Sequence, residues 1–457
     1  MAAGPTVLIM AAGHGTRMKS SLPKVLHPVC GRPMLLWVAA AARAAGAERV
    51  VAITRPGEGV AEHLPEDIET AEQTEGEGTG SAVLAAREAI DRDGTVLVLS
   101  GDNPLIASEL IEGIVATHQE QQAKATLLTT SRLDPTGYGR IVRGADGGVE
   151  KIVETKHTDG VPEEYLAIRE INIGAYAFHG GALLDALDRA DEERGERYLT
   201  AALPLILESG GRIAPFETDD VSSAMGVNNR ADLMDVERHA RSALLRAHAR
   251  AGVSFPNPET VTIDAEVEIG EDTVIEPGTT LRGPTVIGAG ATIGPGTTVE
   301  NSEIGDGVSV LHSYLTHCVV HDRASIGPFA YLRPKADIGA DAKVGTYVEV
   351  KNSVIGAGAK IPHLSYIGDA DVGEGANVAA GNITANYDGR DKHRTTIGAR
   401  VRTGVNTSFV APVTVGEGAY IGAGSVIVDD VPAGALGISR PEQKNVEGFA
   451  ERVEKKP

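Results

Sequence analysis

The chain has 457 residues, 42% hydrophobic and 23% charged, which is too long for one ordinary core and predicts two or three globular domains. Its formal charge of −21 argues against nucleic acid or an anionic membrane surface as partner. Two cysteines, Cys30 and Cys318, lie far apart in sequence and give no disulfide framework or metal-ligand spacing, so a reducing, cytoplasmic setting is expected.

The start carries no basic n-region, and its apolar run Val7–Met10 is too short for a signal segment. No stretch approaches the ~20 apolar residues a membrane span needs. In the first half, apolar strands alternate with amphipathic segments. Val7–Ala11 reads as a buried strand, Met34–Ala45 as a helix, Arg49–Ile53 as a strand, Ser81–Ile90 as a helix and Thr95–Leu99 as another buried strand. That alternation predicts βαβ units and a mainly parallel sheet, whose ligands sit beyond the carboxyl ends of the strands. Gly13, Gly101 and Asp102 fall there. From Ala231 to Ala251 the apolar spacing is helical, with no Gly or Pro until Gly252, which predicts one helix joining the halves.

After Pro258 the period changes. Ile263, Ile269, Ile275, Leu281, Ile287, Ile293 and Val299 recur every six residues. The spacing resumes at Ile326, Leu332, Ile338, Val344 and Val350, then at Ile355, Ile361 and Ile367, and last from Ile397 through Thr403, Phe409, Val415 and Ile421 to Ile427. Such a hexapeptide period predicts a parallel β-helix, with one apolar residue per side pointing inward and small residues at the corners. Aromatics of only 4% beside 55 glycines fit that packing. The repeat is expected to break between Glu300 and Ala324, and again at 384–395, a polar insertion with four basic side chains. A loop that leaves a rigid coil is a natural place for substrate contacts.

The run Leu8–Leu26, LIMAAGHGTRMKSSLPKVL, sets a Gly-rich turn directly after a buried strand, where backbone N–H groups can hold phosphates or a base. Arg17 and Lys24 supply positive charge. On these residues the chain resembles the sugar-phosphate nucleotidyltransferases. Within them it is similar to the bifunctional N-acetylglucosamine-1-phosphate uridyltransferase/glucosamine-1-phosphate N-acetyltransferase family. SGDNPL at 100–105, GYGRI at 137–141, KIVE at 151–154, EIN at 170–172, GVNNR at 226–230, LRP at 332–334, PHLSY at 362–366, NYDG at 386–389 and ISR at 438–440 extend the likeness over nearly the whole chain.

The resemblance implies an α/β Rossmann-like nucleotidyltransferase domain over 1–230, a helical linker over 231–252 and a left-handed parallel β-helix over 253–457, usually trimeric. It makes Asp102 and Asn228 ligands of a Mg²⁺ that neutralises the triphosphate, a set of few hard oxygens that suits this ion. Arg17 and Lys24 would balance phosphate charge as the sugar phosphate attacks the α-phosphorus in line. The uridine would lie on Met10, Ala11, Ala12, Gly13, Gln73, Gly78 and Thr79, with Ser100 and Gly101 beside Asp102. Gly139, Glu154 and Asn172 would hold the N-acetylglucosamine moiety. Two departures stand here: Glu77 and Ser81 replace the Leu and His of the family's Leu-Gly-Thr-Gly-His-Ala run, and Ile173 stands where Thr is usual. Glu77 adds negative charge beside the nucleotide.

In the second half the resemblance makes His363 the base that deprotonates the attacking amine, a task for which imidazole titrates in the right range. Arg333, Lys351, Tyr366, Asn377 and Lys392 would bind glucosamine 1-phosphate. Ala380, Asn386, Tyr387, Val405, Ala423 and Arg440 match positions that contact acetyl-CoA. Val405 stands where the family usually carries Ser, and Ala385 where Cys is usual. A lost oxyanion donor would cost about 2–4 kcal/mol, whereas a backbone N–H in its place would make the loss small. The expected protein is a homotrimer of cell-wall precursor synthesis acting on UTP, acetyl-CoA and the two sugar phosphates. A nucleotidyltransferase with a non-catalytic β-helix platform is the first alternative, and a sugar-nucleotide sensor the second.

Overall fold

The computed structural model describes residues 4–136, 138–153, 155, 161–192 and 195–454. The chain divides into two compact units, Met1–Ala240 and Arg241–Pro457. The helix Arg230–Arg250 runs through the division.

The first unit is built on β1 (Thr6–Met10), α1 (Met34–Ala44), β2 (Arg49–Thr54), β3 (Glu69–Glu72), α2 (Thr79–Ala85), β4 (Thr95–Ser100), α3 (Ser108–Glu120), β5 (Ala125–Thr130), β6 (Arg140–Arg143), β7 (Val149–Val153), β8 (Ile171–His179), α4 (Gly180–Arg189), α5 (Ala202–Glu208) and β9 (Ile213–Glu217). The nine strands form one sheet with the central order β9-β5-β8-β4-β1-β2-β3, and β6 and β7 extend from β8. β1 pairs parallel with both β2 and β4, while β8 runs antiparallel between β4 and β5. The sheet is therefore mainly parallel, as the alternating strands and helices predict.

Its central strands are buried on both faces, while the edge strand β3 is mostly exposed. Leu8, Val51, Val96 and Phe178 join the core under α2, α4 and α5. Val7, Ile9, Val50, Leu97 and Leu99 join the opposite core with α1 and α3. Strand side chains alternate between faces, so each apolar run serves both layers. The helix expected over Ser81–Ile90 differs. It starts earlier, at Thr79, and gives way at Ala86 to a 3₁₀ turn, Arg87–Ala89, so the sequence ends with a tightened, non-α turn.

The second unit is a left-handed parallel β-helix whose faces carry ladders of ten, nine and six strands, with a further two-stranded ladder of Tyr420–Ile421 and Leu436–Gly437. The repeated positions point inward: Ile275, Leu281, Ile293, Val299, Leu332, Ile338, Val344, Val350, Ile355, Ile361, Ile367 and Phe409 are fully buried, although Ile269, near the open end, is only partly so. Each buried aliphatic contributes roughly 1.5–3 kcal/mol of transfer free energy, before the entropy of ordering it. The break expected between Glu300 and Ala324 does not occur. Strands at Glu303–Ile304, Ser309–Val310, Tyr314–Thr316 and Val319–Val320 carry the coil straight through. Some sides here hold five residues instead of six, with Ile304 five beyond Val299 and Leu315 five beyond Val310, all buried. A strict period of six loses the register, and left-handed corners at Asn301, His312 and His317 take up the slack. The second expected interruption is present as a loop between strands Ile383–Ala385 and Thr395–Ile397.

Candidate functional sites

In the first unit the predicted residues gather at the carboxyl ends of β1 and β4. Gly101 N–H donates to Met10 C=O at 3.0 Å and Ala11 N–H to Ile53 C=O at 2.9 Å, which tie the Gly-rich turn to its neighbours. Beyond that tie, the N–H groups of Ala12, Gly13, His14 and Gly15 have no protein acceptor among the described residues. A row of open amides at a strand end is a preformed anion cradle. Gly15 has φ of +56°, and a Cβ there would come within 2.6 Å of Lys24 Cβ, so only glycine lets Lys24 close on the turn.

Lys24 forms an ion pair with Asp102, whose other oxygen accepts from Ser100 Oγ at 2.7 Å. Arg17 Nη2 donates to Asn228 Oδ1 at 2.7 Å. Val227 N–H donates to the Asp102 carbonyl at 2.9 Å, which brings Asn228 beside Asp102 although they are far apart in sequence. Asp232, in the first turn of the Arg230–Arg250 helix, accepts from Asn228 N–H at 2.8 Å and ties Asn228 to that helix. Arg17, Lys24, Ser100, Gly101, Asp102 and Asn228 therefore form one cluster.

Gln73 is buried, with its N–H on Thr54 C=O and its amide donating to Gly76 C=O at 3.0 Å and Gly78 C=O at 3.5 Å. Thr79 Oγ1 accepts from Leu199 N–H at 2.9 Å, and Arg197 N–H donates to Glu77 C=O at 2.8 Å, so the 77–80 loop is anchored from behind. Ser81 is buried, and its hydroxyl donates to Glu77 C=O at 3.0 Å. The charge of Glu77 is not loose. Arg55 grips it through both terminal nitrogens, at 3.0 and 2.8 Å, and this hydrogen-bonded pairing holds the Glu77 carboxyl below its usual range. Sequence reasoning passed over Arg55. Its one signal there is that it follows directly on a parallel strand.

Asn172 N–H donates to Gly139 C=O at 3.0 Å, so these two predicted contacts meet. The Asn172 side chain is turned on itself locally, donating to Tyr176 Oη at 2.7 Å and accepting from Gly174 N–H at 3.2 Å, at a register shift in β8. Glu154 lies outside the described residues.

In the second unit the predicted acetyl-transfer residues stack up one corner. Thr346 pairs in register with His363. In the next coils Gly381 N–H donates to His363 C=O at 3.3 Å, Asn406 N–H to Ala380 C=O at 2.8 Å, and Gly424 N–H to Val405 C=O at 2.8 Å. Arg440 Nη1 caps the row, donating to Ala423 C=O at 2.9 Å. His363, Ala380, Val405 and Ala423 thus occupy equivalent places in successive coils. Coil spacing is tight: a Cβ on Gly404 would lie 2.3 Å from Ala423 N. The N–H groups of Ala380, Val405 and Ala423 have no protein acceptor among the described residues, and Val405 is 47% exposed. The His363 ring is exposed, with no protein partner among those residues.

Asp369 organises a polar cluster on the adjoining face. Burial works to raise its pKa, but hydrogen bonds from Asn352 and Asn386 and the charges of Lys351 and Lys392 outweigh that, and the net shift is downward. Lys351 beside Lys392 lowers the Lys392 pKa, as two crowded ammonium groups must. Tyr366 Oη accepts from Asn386 at 3.5 Å. Arg333 donates to Glu349 at 2.8 Å and lies over the Tyr331 ring at 5.8 Å. Glu349 and Asp369 are acidic residues that sequence reasoning did not single out. Asn377 sits one coil above Lys360 and below Arg402, away from this cluster in register but three residues before Ala380. Tyr387 is exposed, its hydroxyl donating to Gly389 C=O at 2.8 Å in a loop that Asp388 closes by accepting from Arg390 and Asp391 N–H. Cys318 is inert by contrast, its thiol pushed up to about 11 by burial.

Comparison with known proteins follows the same division. Residues 7–206 match the MobA-like NTP transferase domain, and residues 266–301 and 394–429 match the bacterial transferase hexapeptide family. Three relatives are each named bifunctional protein GlmU. The Mycolicibacterium vanbaalenii protein is 46% identical over 98% of this chain and 92% of its own length. The Streptomyces avermitilis protein is 46% identical over 98% and 94%, and a Listeria monocytogenes protein 45% identical over 98% of each.

Proposed function

The chain belongs to the bifunctional GlmU family, and from that premise we propose that it makes UDP-N-acetylglucosamine in two steps. The β-helix transfers acetyl from acetyl-CoA to glucosamine 1-phosphate. The α/β unit then couples the product to UTP and releases pyrophosphate. The observation that carries the reading is the pair of assembled clusters: Arg17, Lys24, Asp102 and Asn228 at the strand ends, and His363, Ala380, Val405 and Ala423 along one corner.

In uridylyl transfer the open amides of Ala12–Gly15 receive phosphate oxygens, and Lys24 and Arg17 offset the charge that moves toward the departing pyrophosphate. The phosphate oxygen of N-acetylglucosamine 1-phosphate forms the new bond to the α-phosphorus as the bridging oxygen leaves. A divalent cation, Mg²⁺, fits the donor set. The Val227–Asp102 backbone bond brings the Asp102 carboxylate and the Asn228 amide to the same strand end, two hard oxygen donors whose present partners are the cationic side chains of Lys24 and Arg17. Among the described residues no group of three His, Cys, Asp or Glu could hold a metal, so the ion would take its other oxygens from phosphate and water, as Mg²⁺ does. When bound, it neutralises the triphosphate.

In acetyl transfer His363 accepts a proton from the sugar ammonium. The freed amine forms the C–N bond, the C–S bond breaks and CoA leaves as the thiol. Ala380, Val405 and Ala423 are small or short enough for a pantetheine arm to follow the corner, and their open amides can receive the thioester oxygen. The Lys351–Lys392 pair, with Arg333, Tyr366 and Asn377, would hold glucosamine 1-phosphate, while Asn386, Tyr387 and Arg440 would contact CoA.

The active assembly is a homotrimer. Phe329, Tyr347 and Leu364 are 52%, 59% and 62% exposed, beside His363. His312, Phe329 and Tyr347 stack at 5.7 and 5.3 Å, and all four residues hold left-handed backbone that costs a bulky side chain roughly 1–2 kcal/mol. A strained apolar ladder beside an uncovered catalytic imidazole supports a second copy of the chain as its cover. No described helix is long and apolar enough to cross a membrane. The product would feed cell-wall precursor synthesis. The test is His363→Ala, which should lower acetyl-transfer kcat by roughly 10²–10⁴-fold and leave uridylyl transfer as it was. Unchanged acetyl transfer would remove His363 from the reaction.

A further inference from the structure

Building on the nucleotide site proposed above, we infer that Arg55 is a positioning residue for the nucleoside triphosphate, acting by locking together the two loops that receive it. Arg55 follows the last residue of β2, and that strand end already serves both loops. Ile53 C=O accepts from Ala11 N–H, in the Gly-rich turn, and Thr54 C=O accepts from Gln73 N–H, at the root of the second loop. Arg55 continues the pattern with its side chain. Nε donates to Ala12 C=O at 3.1 Å, and the two terminal nitrogens donate to Glu77 at 3.0 and 2.8 Å. One planar guanidinium thus spans both loops, using three donors in a geometry that lysine cannot reproduce.

The pair also accounts for the acidic residue beside the site. A free carboxylate at position 77 would repel a triphosphate. Paired with Arg55, it becomes the anchor through which the second loop is held. His14 and Glu58 complete the surroundings: His14 lies 3.5 Å from Glu58, and the charges of Glu58 and His14 act on Arg55 and Glu77 respectively. Arg55 is largely covered and Glu77 half exposed, so the bridge adds little to stability. What it sets is the distance between Ala12 and Gly78. Arg55 touches no reacting atom, so its loss should act on binding, not on the chemical step.

The experiment is steady-state uridylyl transfer by the full-length enzyme, following pyrophosphate while UTP is varied. Arg55→Ala should raise KM for UTP roughly tenfold, with kcat changed by less than about threefold, because it frees the Ala12 carbonyl and leaves Glu77 unpaired. Arg55→Lys should fall between, since an ammonium reaches one loop at a time. The double change Arg55→Ala with Glu77→Leu should recover a large share of the lost affinity, because the unpaired carboxylate is gone. Far-UV circular dichroism and the urea midpoint of each variant report whether the first unit, which carries Arg55, is folded. An unchanged KM in Arg55→Ala, or a double variant as impaired as the single one, overturns the inference. Absence of pyrophosphate release from the native protein would instead overturn the nucleotide-site reading on which it rests.

Discussion

Val405→Ser tests whether the acetyl-transfer corner works through backbone or side chain. If a hydroxyl at 405 were the oxyanion donor, the native valine would forgo about 2–4 kcal/mol, or roughly 30- to 900-fold in rate. The structure argues for a much smaller difference. Three amides, at Ala380, Val405 and Ala423, lie along the corner with no protein acceptor among the described residues, and a change of side chain removes none of them. The Val405 backbone is fixed by the carbonyl it offers to Gly424 N–H at 2.8 Å and by the close contact of Gly404 with Ala423. The half-exposed isopropyl group packs against little. Val405→Ser should therefore change kcat for acetyl transfer by less than about threefold, which is under ~0.7 kcal/mol. Release of CoA, captured with a thiol reagent under saturating glucosamine 1-phosphate and acetyl-CoA, measures it. A rise of thirtyfold or more in kcat at unchanged KM would refute the backbone argument.

Asp102→Ala should lower uridylyl transfer by roughly 10²–10³-fold or more, since it removes a proposed metal oxygen and unpairs Lys24, while acetyl transfer persists; parallel loss of both without unfolding would contradict two separate sites. Buried His118 has its pKa lowered to about 4, chiefly by burial and then by the charges of His179 and Lys124. Its folded pKa lies below the unfolded 6.5, so its stability contribution is full above that value and is lost as pH falls toward 4, amounting to about 2 kcal/mol between pH 7 and pH 5. Urea unfolding of His118→Gln should show a correspondingly weaker acid destabilisation, and an identical pH slope would exclude that residue as the source. Leu364→Asp together with Tyr347→Asp should shift the full-length chain from trimer toward monomer in sedimentation, with acetyl transfer falling in step; a native monomer would dispose of the assembly proposal.

How legible the molecule is in its sequence depends on the residue. Three central strands, at Val7–Ala11, Arg49–Ile53 and Thr95–Leu99, read correctly because their apolar runs are buried on both faces, as Val7, Leu8 and Ile9 are. The β-helix core reads correctly wherever its sides keep six residues. It escapes between Glu300 and Ala324 because a corner can absorb a one-residue deletion while Ile304, Val310 and Leu315 remain inside. The helix at Ser81–Ile90 loses its last turn to 3₁₀ geometry, which local propensity does not specify. In the nucleotide cluster the strand pattern and the Gly-rich run point to Gly13, Arg17, Lys24, Gly101 and Asp102, whereas Asn228 enters only by resemblance. Asp102 and Asn228 come together through one backbone bond from Val227, a contact with no sequence period. Glu77 looks hostile to a nucleotide until Arg55, from a different loop, is seen holding it. Glu349 and Asp369 stay hidden for the same reason, since a charged residue on a coil is ordinary until its stacked neighbours are known.

The most direct test of the account follows two products from one purified chain. Glucosamine 1-phosphate and acetyl-CoA are supplied first, and UTP with Mg²⁺ is then added, while CoA and pyrophosphate are recorded separately. The account predicts CoA release in the first stage and pyrophosphate in the second, with pyrophosphate limited by the acetylated sugar already formed. Pyrophosphate formed from supplied N-acetylglucosamine 1-phosphate, with no CoA released from glucosamine 1-phosphate, would reduce the β-helix to a platform and contradict it.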